Sequence, residues 1–246
     1  MDPSRRSIFA GLSNAVAGLV GITEAAAAPP ATPPPGPRWA MVVDAAKCIG
    51  CQACTVSCIM ENAVPEDSFR TIVSTYEVRE AGGGVGMAML PRLCNHCAAA
   101  PCIPVCPVGA TTQRADGIVV VNADACVGCA YCVQACPYDA RFINHATQKA
   151  DKCTFCAHRV DAGLLPACVE TCVGGARIFG DLNDPASSVS RILADTPAKV
   201  LKPEMRTAPH VFYLGLDDLF LGRVEAEPTL WQPQHGQPQH GAEARS

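Results

Sequence analysis

The sequence predicts an α+β protein assembled from two small, related units, with a β-hairpin inserted in its first half and an extension at its C-terminal end. Three observations lead there. All sixteen cysteines of the 246-residue chain lie between Cys48 and Cys172, in four sets of four with none left over. Short strand-like stretches recur at matching offsets before and after these sets. Aromatic residues make up only 5% of a chain that is 49% hydrophobic, so part of the interior is built around something other than large side chains. The formal charge of −4 leaves no basic stripe of the kind that neutralises phosphates, which excludes nucleic acid as a partner.

The N-terminus carries Arg5-Arg6 ahead of an apolar run from Ile8 to Ile22, followed by Ala25-Ala26-Ala27. A basic pair, a short apolar stretch and a small-residue cleavage pattern predict a twin-arginine export signal over residues 1–27. The run falls short of the roughly 20 apolar residues that a spanning helix needs. A buried N-terminal helix and an uncleaved membrane anchor are the competing readings, and Phe9 sits one place later than the usual consensus. Export would make the protein periplasmic, held at the cytoplasmic membrane by a partner subunit. Residues 28–37 are proline-rich and predict a stiff extended spacer. The folded part is expected to start near Arg38. At the other end, residues 232–246 repeat Gln-Pro-Gln-His-Gly, and a polar disordered tail is expected there in preference to a metal site at His235 and His240.

The cysteine spacing carries the chemistry. Cys48, Cys51, Cys54 and Cys58 read C-x2-C-x2-C-x3-C, as do Cys126, Cys129, Cys132 and Cys136. In Cys94, Cys97, Cys102 and Cys106 the middle gap widens to four, and in Cys153, Cys156, Cys168 and Cys172 it widens to eleven. Proline follows Cys106 and Cys136. This is the bacterial ferredoxin run, in which three cysteines grip one [4Fe–4S] cubane and the fourth reaches the neighbouring one. Zinc is usually held by two separated C-x2-C knuckles, and disulfides between such near neighbours would close only short loops. Four [4Fe–4S] clusters are therefore expected, with the fourth cysteine of each set just inside a following helix. Cluster insertion before export would also explain how so many thiols reach an oxidising compartment without pairing.

The remaining elements follow in order. Val43 to Cys51 and Val121 to Cys129 each read as a short strand, a turn and C-x-G-C, with Gly50 and Gly128 letting backbone approach a cluster. Phe69 to Val78 alternates as a strand, with Val85 to Leu90 as its hairpin partner inside the insertion 59–93. Each fourth cysteine but the first opens a repeat, Cys106 to Ala110, Cys136 to Ala140 and Cys172 to Ala176, and some of these lead into strand-like residues, such as Arg141 to Asn144 and Arg177 to Gly180. Residues 187–195 predict a helix, and Pro209 to Gly215 a terminal strand. Only a short stretch containing the strand Gly117 to Val121 separates sets two and three, so 94–140 is expected to form a central unit. Sets one and four then make a flanking unit from 38–93 and 141–231. His96, between Cys94 and Cys97, is expected near a cluster or at the surface rather than as a ligand. His145, His158 and His210 carry no catalytic pattern. With no nucleotide loop and no spare thiol, no catalytic residue is expected.

Four stretches resemble the four-cluster iron–sulfur subunits of the molybdopterin oxidoreductases: Cys48 to Cys58, Leu90 to Cys97, Cys126 to Arg141 and Asp151 to Cys156. Leu164 to Arg177 and Pro209 to Asp218 resemble the tetrathionate branch of that family more than the branches serving polysulfide, nitrite or dimethyl sulfoxide. The likeness runs from about residue 38 to about 232. It implies an electron-transfer subunit between a quinol-oxidising integral membrane subunit and a molybdopterin catalytic subunit. It also implies the ligand sets: Cys48, Cys51, Cys54 with Cys172; Cys153, Cys156, Cys168 with Cys58; Cys94, Cys97, Cys102 with Cys136; and Cys126, Cys129, Cys132 with Cys106. A free-standing soluble carrier is the other function class that the motifs allow.

Overall fold

The computed structural model describes residues 36–80, 82–221, 223–224 and 229–230, all within one compact unit, Pro35–Ser246. The expected export signal, nearly all of the spacer and the C-terminal tail lie outside the described residues. Among those described, no helix is long and apolar enough to cross a membrane.

The chain opens with strand β1 (Trp39–Asp44), then helix α1 (Ala53–Asn62) and the long strands β2 (Thr71–Arg79) and β3 (Val85–Leu93). Two short hairpins follow around α2 (Tyr131–Gln134): β4 (Thr111–Gln113) with β5 (Val119–Val121), then β6 (Arg141–Asn144) with β7 (Lys149–Lys152). Helices α3 (Ala157–Val160) and α4 (Ala167–Glu170) lead to β8 (Arg177–Asp181) and α5 (Ser188–Asp195). Strand β9 (Val211–Leu214), α6 (Leu216–Phe220) and β10 (Thr229–Leu230) close the order, so the strand expected to be terminal is followed by two more elements.

β1 is the centre of the principal sheet, antiparallel to β8 and parallel to β9. Ala40, Met41, Val42 and Val43 are all fully buried. A run that is apolar without alternation is what a strand covered on both faces requires. Met41 and Val43, with Val211 and Tyr213 of β9 and Phe179 of β8, face a core that contains Cys54, Cys94, Cys153 and Cys168. Ala40 and Val42 face the other way, onto Val189 and the apolar side of α5. The sheet thus stands between an ordinary helix-on-sheet core and a core rich in thiols.

β2 and β3 pair antiparallel from Thr71↔Leu93 to Arg79↔Val85, and β10 adds to the free edge of β2. The hairpin is docked by specific polar contacts. The Gln52 amide donates to the Val73 carbonyl at 3.1 Å, and the Tyr213 hydroxyl donates to the Pro91 carbonyl at 2.9 Å. Ala140 and Leu201 pack against both the sheet-side core and a second core around Cys97, Cys102, Cys126 and Cys132. His210 joins the two sides: its N–H donates to Asn95 O, and its Nε2 accepts from Arg38 Nε at 2.9 Å. Burial, with Arg38 beside it, pushes the His210 imidazole down to about 4, so it stays neutral and free to accept.

Candidate metal centres

Four cavities of similar size, about 320, 310, 300 and 260 Å³, lie under the loops of the cysteine sets. Each is lined by four cysteines. Cavity I takes Cys48, Cys51, Cys54 and Cys172. Cavity II takes Cys58, Cys153, Cys156 and Cys168. Cavity III takes Cys94, Cys97, Cys102 and Cys136, and cavity IV takes Cys126, Cys129, Cys132 and Cys106. The fourth cysteine of every set lies at a different cavity from its first three. All sixteen thiols are free.

The crossover is a consequence of helical rise. Cys54 and Cys58 both lie within α1, one turn apart and both buried. Four residues at 1.5 Å each separate them by about 6 Å along the axis, so one reaches cavity I and the other cavity II. The helix therefore starts just before the third cysteine and runs past the fourth, rather than starting at the fourth. α2 carries Cys132 and ends before Cys136, and α4 carries Cys168 and ends before Cys172. In sets one, three and four the three intervening residues continue or complete a helical turn.

The cavities form a row. Cys168 of cavity II interacts with Cys54 of cavity I, and Cys153 of cavity II with Cys94 of cavity III. Arg141 interacts with Cys94 and Cys102 of cavity III and with Cys132 of cavity IV. The order along the row is I, II, III, IV. Exposure agrees with it. Cys51 of cavity I and Cys129 of cavity IV are exposed, whereas every cysteine of cavity II is buried.

The donor set fits iron–sulfur clusters. Among the described residues, no three thiol, imidazole or carboxylate groups converge on a point as they would on a single ion. The thiols are spread over cavity walls, as a polynuclear group requires. Backbone N–H groups already aim at sulfur: Ala110 at Cys106 and Ala176 at Cys172, both 3.2 Å, and Ala150 at Cys126 and Phe155 at Cys153, both 3.4 Å. The Asn62 amide reaches the sulfurs of Cys58 and Cys156 at 3.5 and 3.7 Å, and it is itself held by Arg70 at 2.9 Å. Such donors to cluster sulfur are what tune iron–sulfur sites. Burial, followed by the neighbouring Cys168 and Cys156, pushes the Cys58 thiol up to about 12. Burial likewise raises Cys97 to about 12 and Cys168 to about 11. Without metal these thiols hold their protons; iron inverts that preference, and its binding releases them.

Several residues at these cavities escaped the reading of the sequence. The insertion lines two of them, through Val73 and Pro91 at cavity I and Arg70 and Thr71 at cavity II. Of the two places expected for His96, near a cluster or at the surface, the structure gives the buried one. It stacks on Phe155 with centroids 3.8 Å apart and accepts from Val119 N–H at 3.1 Å. Lys152 is buried between cavities II and III, its ammonium bonded to the carbonyls of Val119 and Cys153. Arg141 and Arg177 are buried at the other two junctions, and the signal that could have found them is a shared offset. Each follows the fourth cysteine of its set by five positions, in Cys136-Pro-Tyr-Asp-Ala-Arg141 and Cys172-Val-Gly-Gly-Ala-Arg177.

Two overlapping segments, residues 47–110 and 85–182, match families described as 4Fe-4S dicluster domain. A tetrathionate reductase subunit of Salmonella typhimurium is 58% identical over 242 residues, covering 94% of this chain and 97% of its own. The chain belongs to the iron–sulfur subunit family of the tetrathionate reductases. The subunit of the same name from Archaeoglobus fulgidus is 43% identical over 181 residues, covering 74% of this chain and 84% of its own. A polysulfide reductase subunit of Wolinella succinogenes is 40% identical over 177 residues, covering 71% of this chain and 93% of its own. In this member of the family, the dicluster matches span all sixteen cysteines, and the fold is of the ferredoxin-like dicluster kind.

Proposed function

We propose that this chain is the electron-relay subunit of a tetrathionate reductase, with one [4Fe–4S] cluster at each of the four cavities. The observation that carries the reading is the row of four four-cysteine cavities, with an exposed cysteine at each end. The clusters would supply one-electron storage, with no bond made or broken at the protein. The chain's own part is to hold the thiolates, aim N–H groups at sulfur and keep water from the inner cavities. An electron entering at one exposed end leaves at the other. The ends would dock a quinol-oxidising integral membrane subunit and a molybdopterin catalytic subunit that reduces tetrathionate; the relatives' names support such an assembly. Anaerobically purified protein should hold about sixteen iron and sixteen acid-labile sulfide, the content of four cubanes. The purified complex should couple tetrathionate to oxidation of a reduced dye. Stoichiometric zinc without sulfide, or a complex indifferent to tetrathionate, would overturn the reading.

Export belongs to the same proposal. Arg5-Arg6 ahead of the apolar run supports twin-arginine transport of the already folded, metal-loaded chain. Replacing both arginines with lysine should leave sulfide-containing protein in the cytoplasmic fraction. Undiminished arrival of the double variant in the periplasm would contradict it.

A further inference from the structure

Arg177 and Arg141 occupy equivalent places in the two halves of the row. Arg177 lines cavity I, and its Nη2 donates at 2.8 Å to Thr71 Oγ1, a residue that lines cavity II. Arg141 lines cavity III, and its Nη1 donates at 3.3 Å to Thr111 Oγ1, a residue that lines cavity IV. The two guanidiniums are only 3% and 4% exposed, and among the described residues neither meets a carboxylate. Among the described residues, Nε and Nη2 of Arg141 meet no oxygen or nitrogen partner, and the thiol of Cys132 lies beside the guanidinium.

A guanidinium cannot shed its proton in a protein, so burial without an anion is costly. It persists only where a counter-charge is close. Thiolates held on a cluster would provide one, and Cys168, Cys54 and Cys153 are the thiols beside Arg177. Four thiolates leave a cubane site net negative, and each added electron makes it more so. A fixed cation then favours the reduced form, and raises the potential of the clusters it faces.

We propose that Arg177 and Arg141 are paired potential-setting residues, each a fixed positive charge shared by the two clusters of its own half: Arg177 by those of cavities I and II, Arg141 by those of cavities III and IV. Thr71 and Thr111 hold each guanidinium at the junction. The arrangement would keep both members of a pair reducible at similar potentials, so that neither traps the electron. This rests on the cluster reading above.

The test is a potentiometric titration of the full-length chain, purified anaerobically, followed by electron paramagnetic resonance. Arg177→Gln should lower the midpoint potentials of two clusters and leave two unchanged. Arg141→Gln should lower the complementary two. Arg177→Lys and Arg141→Lys should return most of each shift. Unchanged potentials in cluster-loaded Gln variants, shifts spread over all four clusters, or Lys variants shifted as far as Gln would overturn the proposal. If a Gln variant loses iron, Thr71→Val or Thr111→Val takes its place, since it frees the guanidinium without removing it. A shift confined to the same pair supports the proposal, and no shift overturns it. Failure of the cluster reading itself appears separately, as wild-type protein without iron and sulfide in equal amounts.

Discussion

Cys58→Ser is expected to destroy or degrade the cluster bound by Cys153, Cys156 and Cys168, and to leave the one bound by Cys48, Cys51 and Cys54 with its four ligands. Cys58 is near the first set in sequence, yet it lines cavity II, and the fourth position at cavity I is filled by Cys172. The iron lost should not exceed about four atoms, the content of one cubane. The spectral component that disappears should be the one that Cys156→Ser removes, and should differ from the one that Cys51→Ser removes. Combining Cys58→Ser with Cys156→Ser should cost no further cluster, since residues serving one site act as a unit. Cavity II is interior to the row, so electron passage from one exposed end to the other should be nearly abolished. A Cys58→Ser spectrum matching that of Cys51→Ser would falsify the crossover. Stability should fall as well, because binding free energy at a metal site is also folding free energy.

How much of this was legible depends on where the determining contact lies. The cysteine positions declare themselves, because cubane ligation leaves no latitude in residue type and little in spacing. Strands β2 and β3 are visible from alternation towards their turn, where Val78 and Ala88 are buried and Glu77, Arg79 and Met87 are exposed, although at the base both faces are covered, by Val73 and Leu93 on one and Ser74 and Leu90 on the other. The central place of β1 is not visible. Ala40 to Val43 is apolar throughout because two cores meet there, and the strands that flank it, β8 and β9, come from the last third of the chain. The helix that carries Cys58 starts earlier than expected, before Cys54, for a local reason. From Cys54 to Cys58, α1 contains only Cys, Thr, Val and Ser, none of them strong helix formers, so this stretch does not announce a helix. Packing supplies what propensity lacks: Cys54, Thr55 and Cys58 are buried, and the Thr55 hydroxyl is anchored on Gln52 at 2.8 Å. Arg141 and Arg177 were hidden differently. An arginine that opens a strand is unremarked by pattern alone, and only the cavities on either side give the shared offset a meaning.

The glycines of the two C-x-G-C loops are alike in sequence, and the structure predicts different consequences for them. Gly50 and Gly128 both have left-handed backbone, with φ of +69° and +71°. Alanine at either therefore costs about 1–2 kcal/mol from conformation alone. The surroundings then separate them. A Cβ on Gly50 would lie 2.9 Å from Met89 Sδ, near the end of a flexible side chain that can swing away. A Cβ on Gly128 would lie 2.4 Å from the carbonyl oxygen of Gln148, which is backbone. That carbonyl cannot retreat cheaply. Gln148 N–H is bonded to Asn144 O at 2.7 Å, and Lys149 Nζ is bonded to Cys126 O at 2.6 Å. Ala150 N–H donates to the Cys126 sulfur at 3.4 Å, so the β6–β7 turn and the cysteine loop are locked to each other. Relief must come from the loop, which means moving Cys126 and Cys129 out of cavity IV. Gly128→Ala should accordingly lose up to about four iron, all from the cluster completed by Cys106, while Gly50→Ala keeps its full complement. Thermal melting should fall further for Gly128→Ala than for Gly50→Ala. Equal loss in the two variants, measured side by side, would show that the left-handed backbone alone matters and that the Gln148 carbonyl does not constrain the loop.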